Sequence, residues 1–218
     1  MADKLKTIVI EIREHAPFTM FGAITGIVLM VAMVYSHVPR QASQLLFESS
    51  HALHVLLSAL VTTGMYRLHS RGRLLPTLLV GYLGSVGLAT LSDSVIPYIG
   101  ELLLKMPRTQ AHIEFIEQWW LINPLAVAGI LIACRWPRTK FPHAGHVLLS
   151  TYASLFHMTM AVGESLNLLT IILVPVFLFM AVLIPCCMSD IVFPLLFVKE
   201  SSASHPPGKQ GSSHEQKC

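Results

Sequence analysis

Polar and apolar residues are sharply segregated along this chain. Six stretches are almost continuously apolar, at about Pro17 to Ser36, Leu45 to Tyr66, Leu74 to Tyr98, Trp119 to Cys134, His143 to Gly163 and Ser165 to Val198. Most of them approach the ~20 residues a helix needs to cross ~30 Å of hydrocarbon. The strict apolar/polar alternation of barrel strands is missing, so a β-barrel is not expected. The pattern predicts an all-α polytopic membrane protein with six transmembrane helices. The last run is longer than a bilayer requires, and Pro175, Pro185 and Pro194 are the places where it should bend or break. Segment Glu101 to Gln118 is too polar to span and reads as an interfacial helix, with Glu114 and Glu117 in solvent. The final stretch, SSASHPPGKQGSSHEQKC, has almost nothing to bury and is expected to be disordered.

Composition fits that reading: 53% of the 218 residues are hydrophobic and only 12% charged, well below the ~25% charged residues of soluble domains. Placement of charge then sets the orientation. With six spans, twelve of the fifteen basic residues fall on one side, leaving Arg40, Lys105 and Arg108 on the other. This bias puts both termini in the cytoplasm and suits a multi-pass protein of the plasma or inner membrane. Trp119 and Trp120 fall at the outer boundary and Trp136 at the inner one. No basic block suggests nucleic acid. The first apolar run lacks a compact cleavage site and is expected to stay as a span. Cys134, Cys186, Cys187 and Cys218 are expected to be free thiols rather than a disulfide framework.

The chain also repeats itself. HALHVLLS at His51 to Ser58 recurs as HAGHVLLS at His143 to Ser150, with seven identities in eight. SDSVIP at Ser92 to Pro97 recurs as SDIVFP at Ser189 to Pro194, in the same order and with the same Asp-to-Pro spacing. The second histidine precedes the aspartate by 39 residues in the first copy and by 44 in the second. We read a duplicated three-helix unit: residues 1–105 as the first repeat, 106–118 as an interfacial linker, 119–199 as the second repeat and 200–218 as a cytoplasmic tail. Three crossings is an odd number, so the second copy enters from the opposite side, as in many secondary transporters. On the run boundaries alone, His51, His54 and Asp93 fall near the outer face, and His143, His146 and Asp190 near the inner one.

Two histidines at i and i+3 share a helix face, and a carboxylate from the next helix makes the set suitable for a divalent transition ion. Neutral imidazole suits Zn, Fe, Cu or Ni, and the carboxylate offsets charge. The expected metal ligands are therefore His51, His54 and Asp93, with His143, His146 and Asp190 as the second set. Glu48, His37, His112, Glu114 and Glu117 could extend the first, and Cys186 or Cys187 the second. His157 reads equally as a packed core histidine or a ligand. The stretch Gly22 to Gly26 reads as a small-residue helix contact.

A buried histidine or aspartate also serves as glue between helices through hydrogen bonds alone. Against that stands the cost of an ionisable group in hydrocarbon, usually retained for function. The favoured function is binding and translocation of a divalent transition metal. The alternatives are an integral membrane metalloenzyme acting on a lipid-like substrate, a haem-bearing electron carrier and a scaffold without chemistry of its own. Expected partners are the lipid bilayer and a metal ion, with a homo-oligomer left open.

Overall fold

In a computed structural model the chain is helical, with no strand among the described residues. These are residues 2–70, 74–137, 140–162, 167–187 and 193–197, with the side chains of 2–12, 14–15, 69, 140–144, 187 and 195 outside the description. Helix α1 is Ala2–Tyr35, α2 is Arg40–His69 and α3 is Leu74–Leu103. The short α4, Glu114–Glu117, leads into α5, Trp119–Arg135. Then come α6, Lys140–Ala161, α7, Leu168–Cys187, and α8, Phe193–Leu196.

Four segments are long and apolar enough to cross a membrane: Ala16–Tyr35, Arg40–Leu68, Leu74–Leu103 and Leu168–Cys186. Helix α5 is apolar but shorter. The distribution of side chains is that of a membrane protein. Phe21, Ile24 and Val28 on α1 and Ile172, Val176, Met180 and Ile184 on α7 are exposed, at spacings that put each set on one helix face. Histidines, serines, threonines and an aspartate are buried instead. Water would reverse this arrangement, whereas lipid accepts apolar side chains outside and requires polar groups to be satisfied within.

The segment between α3 and α5 is not the single interfacial helix its polarity suggests. Helix α3 continues to Leu103 and ends in a six-to-one backbone bond, Met106 N–H to Glu101 C=O (3.0 Å), closed around Lys105 at φ 52°. Helix α1 ends the same way, Val38 N–H bonding Met33 C=O (3.0 Å) around His37 at φ 51°. In both, a left-handed residue satisfies carbonyls that the helix end would orphan. Pro107 follows the Lys105 cap, and the chain stays irregular until the single turn of α4. The final apolar run likewise divides: α7 holds Pro175 and Pro185, α8 begins at Phe193, and residues 188–192 lie outside the described residues, as does the tail.

Helix α2 lies at the centre, packed on α3, α5 and α6, while α1 packs on α6 and α7. Helices α2 and α6 run antiparallel, since Phe47 meets His157 at one end of their contact and Leu57 meets Gly145 at the other. Small residues bring the helices close. A methyl group on Gly22 would stand 3.0 Å from Thr151, and one on Gly26 3.3 Å from Leu155, so this small-residue stretch is a helix contact onto α6. Gly129 is tighter: a Cβ there would lie 2.6 Å from the Leu56 carbonyl oxygen and 2.8 Å from the Ala59 methyl. A backbone atom cannot rotate aside, so α5 and α2 would have to separate. Gly129→Val is therefore expected to lower stability by about 2–3 kcal/mol, seen as a fall in the unfolding midpoint in detergent.

Two apolar clusters flank the middle. One joins Met30, Leu155, Met158, Val174 and Leu178, and the other joins Ala52, Val55, Val86, Ala89, Ile122 and Ala126.

Candidate metal centre

Helix α2 places Phe47, His51, His54 and Ser58 on one face, at i, i+4, i+7 and i+11. Helix α6 does the same with His146, Ser150, Ser154 and His157, all buried. Between these two stripes α3 brings Asp93. It stands in a π-helical turn, Leu91–Val95, the second in α3 after Leu83–Gly87. Pro97 explains the local distortion, because it has no N–H for the Asp93 carbonyl and its ring crowds that carbonyl. A wider turn relieves the crowding and re-aims the side chains within it, a device frequent at functional sites.

Asp93 is fully buried, and its carboxylate meets four hydrogen-bond donors among the described residues. His51 Nδ1 and His54 Nδ1 both donate to Oδ2, at 2.9 and 2.6 Å. The hydroxyls of Ser92 and Ser150 donate to Oδ1, at 2.6 and 2.7 Å. Ser154 holds the turn itself by donating to the Ser92 carbonyl at 3.0 Å. A carboxylate accepts hydrogen bonds and donates none. Since it can only accept, both imidazoles carry their proton on Nδ1, and in the neutral ring Nε2 is the lone-pair atom. His51 Nε2 is buried and has no hydrogen-bond partner.

His51, His54 and Asp93 thus come together as expected, each offering a donor atom within 4.8 Å of the others. His146 corrects the picture of two separate faces. Its ring stacks on His54 with centroids 5.8 Å apart and planes at 18°, and Ser150, from the second copy of the octapeptide, completes the shell of Asp93, from the first. The helices extend beyond the apolar runs, and His51 lies about 16 Å along α2 from Arg40 and Asp93 about 15 Å along α3 from Leu103. The side chain of His143 and all of Asp190 lie outside the described residues. Neither Cys134 nor Cys186 is in a disulfide, and Cys186 packs with Val147 and Val182. Cys187's side chain and Cys218 fall outside the described residues.

Two further groups lie nearby: the pairing of His157 with Glu101 was not assigned from the sequence, whereas His112, Glu114 and Glu117 are the residues it offered only as possible extensions of the first set. His157 Nδ1 donates to Glu101 Oε1 at 2.7 Å, with both side chains buried. The second group is His112, Glu114 and Glu117, whose donor atoms also lie within 4.8 Å of one another. Glu117 is exposed as expected, but Glu114 is only 2% exposed. Phe47 connects everything: its ring is 5.9 Å from His51, 5.1 Å from His157 and 6.4 Å from His112. The available signal for these groups was the polar stripe on α6 and the presence of Glu101 at the end of an apolar run.

Burial raises the Glu114 carboxyl to about 7, helped by the negative charges of Glu117 and Glu48 and opposed by His112. The folded protein therefore keeps a proton that the unfolded chain releases near pH 4.5. Stability falls as pH rises through that interval and levels off above about 7. Glu114→Gln is expected to flatten this slope in melting experiments on metal-free protein between pH 5 and 8.

Compared with protein-family models, curated proteins and solved structures, the chain matches none.

Proposed function

We propose that this protein is a membrane carrier for a divalent transition metal ion, built from six spans as two inverted three-helix repeats, with the ion held by His51, His54 and Asp93 beside His146. The observation that carries the reading is the convergence of two imidazoles and one carboxylate in a fully buried position. Their chemistry suits Zn, Fe, Cu or Ni. Serine donors alone would satisfy the aspartate as helix glue. The two histidines add ligand nitrogens that glue does not require: a bound ion would take the place of the two Nδ1 protons that Asp93 Oδ2 now accepts, so that both Nδ1 atoms and Oδ2 become its ligands.

The repeat supports movement of the ion. His54 and His146 occupy the same place in the two copies of the octapeptide, and they stack on each other. Contact between equivalent positions on antiparallel helices is what a two-fold axis in the membrane plane produces. The helix neighbours agree, since α1 packs on α6 as α5 packs on α2. A site on that axis belongs equally to both halves, and rocking one half against the other would open it to each side in turn. His143 and Asp190, as the counterparts of His51 and Asp93, would supply the release side.

The test is uptake by proteoliposomes loaded with a zinc-sensitive dye. The wild type is expected to accumulate Zn²⁺, and His54→Ala to reduce the initial rate at least tenfold. Bound metal without uptake would contradict transport and favour a resident metal in a membrane enzyme.

A further inference from the structure

The geometry points to a second divalent-cation site, at His112, Glu114 and Glu117, that loads the buried centre from one end of the helix bundle. It stands on residues separate from the centre, so either site can fail without the other. His112 Nδ1 donates to Glu117 Oε2 at 3.3 Å, and the Ile113 N–H fixes Glu117 Oε1 at 3.1 Å. Glu114 is held inside with its Oε2 buried and without a hydrogen-bond partner, and His112 Nε2 is likewise unpartnered. Two carboxylates and one imidazole thus aim donors at a shared space within 4.8 Å, with Glu48 close enough to add its charge. A divalent cation would supply the positive charge this group lacks.

Exposure is graded across the three residues. The Glu117 side chain is 46% exposed, that of His112 17%, and Glu114 is almost closed off. Such a site opens to solvent on one side and to the protein on the other. On its inner side the His112 ring stands 5.7 Å from His157, and Phe47 touches His112, His157 and His51. One fully buried aromatic ring separates the outer donors from the inner ones. The outer set is richer in carboxylate and so harder and less selective than the inner one. Weaker binding with fast exchange is what a loading site requires, and displacement of Phe47 would pass the ion inward.

The experiment is a Co²⁺ titration of the full chain in detergent, read by the visible absorption of bound cobalt and by elemental analysis. Wild type is expected to bind two equivalents, while His51→Ala/His54→Ala and Glu114→Gln/Glu117→Gln each bind one. Stopped-flow mixing should show the glutamate variant filling the centre at least tenfold more slowly, with its final occupancy there unchanged. Glu117→Gln alone, at an exposed position, should weaken the outer site at least tenfold and guards against misfolding of the double variant. Cobalt content and loading rate equal to wild type in both glutamate variants would overturn the inference while leaving the centre intact. One equivalent that survives the histidine changes but not the glutamate changes would support the outer site and contradict the inner one.

Discussion

Asp93→Ala is expected to be the most damaging single change in the protein. It removes the acceptor of four hydrogen bonds at once, from His51, His54, Ser92 and Ser150. None of these donors can turn to water, because all are buried. Removing one partner of a buried charged network costs about 3–5 kcal/mol, a large share of the ~5–15 kcal/mol that holds a typical protein folded. Asp93→Asn should cost less, since its amide oxygen still accepts from the histidines, but its nitrogen then opposes the serine hydroxyls. Both variants should lose the metal. Thermal unfolding in detergent, read beside metal content, separates the two effects: stability should rank wild type, Asn, Ala, while metal content drops in both. Equal stability of all three proteins would mean that Asp93 does not organise the centre.

His51→Ala/His54→Ala is expected to abolish metal at the centre. Changes that merely reorient a ligand cost ~10–100-fold in affinity, so deletion of two donors should exceed a hundredfold. It also leaves Asp93 Oδ2 without donors, so some stability is lost with the metal. His51→Gln/His54→Gln isolates the chemistry, because a glutamine amide can still donate to the carboxylate but is a poor ligand for a transition ion. The Gln pair should melt closer to wild type than the Ala pair and still bind no metal at the centre. Retention of the ion by the Gln pair would mean that the histidines serve as hydrogen-bond donors and not as ligands.

How much of this was legible in the sequence depends on which physical quantity each feature needed. Helix positions follow from apolar runs, and the expected spans at about Leu45 to Tyr66 and Trp119 to Cys134 correspond to α2 and α5. The pairing of His51 and His54 with Asp93 was legible because the same residues recur in the same order. The ends of the helices were not, because Arg40–Gln44 and Ile99–Leu103 continue α2 and α3 beyond the apolar runs. Rotation was not legible either. The meeting of His54 with His146 depends on how α2 and α6 turn against each other, which is set by packing such as Gly145 on Leu57. Glu114 was misjudged for a related reason: polarity alone assigns it to solvent, whereas the loop that follows the Lys105 cap packs His112 against Phe47 of α2 and His157 of α6, and Glu114 beside it is buried. In the repeated SDSVIP and SDIVFP, the conserved spacing of aspartate and proline carried more information than its composition, since a proline four residues on perturbs the turn that aims the aspartate.

The central claim is that one ion sits among the imidazoles and the carboxylate at the contact between the two copies. X-ray absorption at the zinc edge tests it most directly, on Glu114→Gln/Glu117→Gln protein so that only the centre is loaded. The account predicts nitrogen and oxygen donors at about 2.0–2.2 Å, with outer-shell scattering from at least two imidazole rings, and loss of that signal in His51→Ala/His54→Ala. Zinc without imidazole scattering, or a spectrum unchanged by removal of the two histidines, would contradict it.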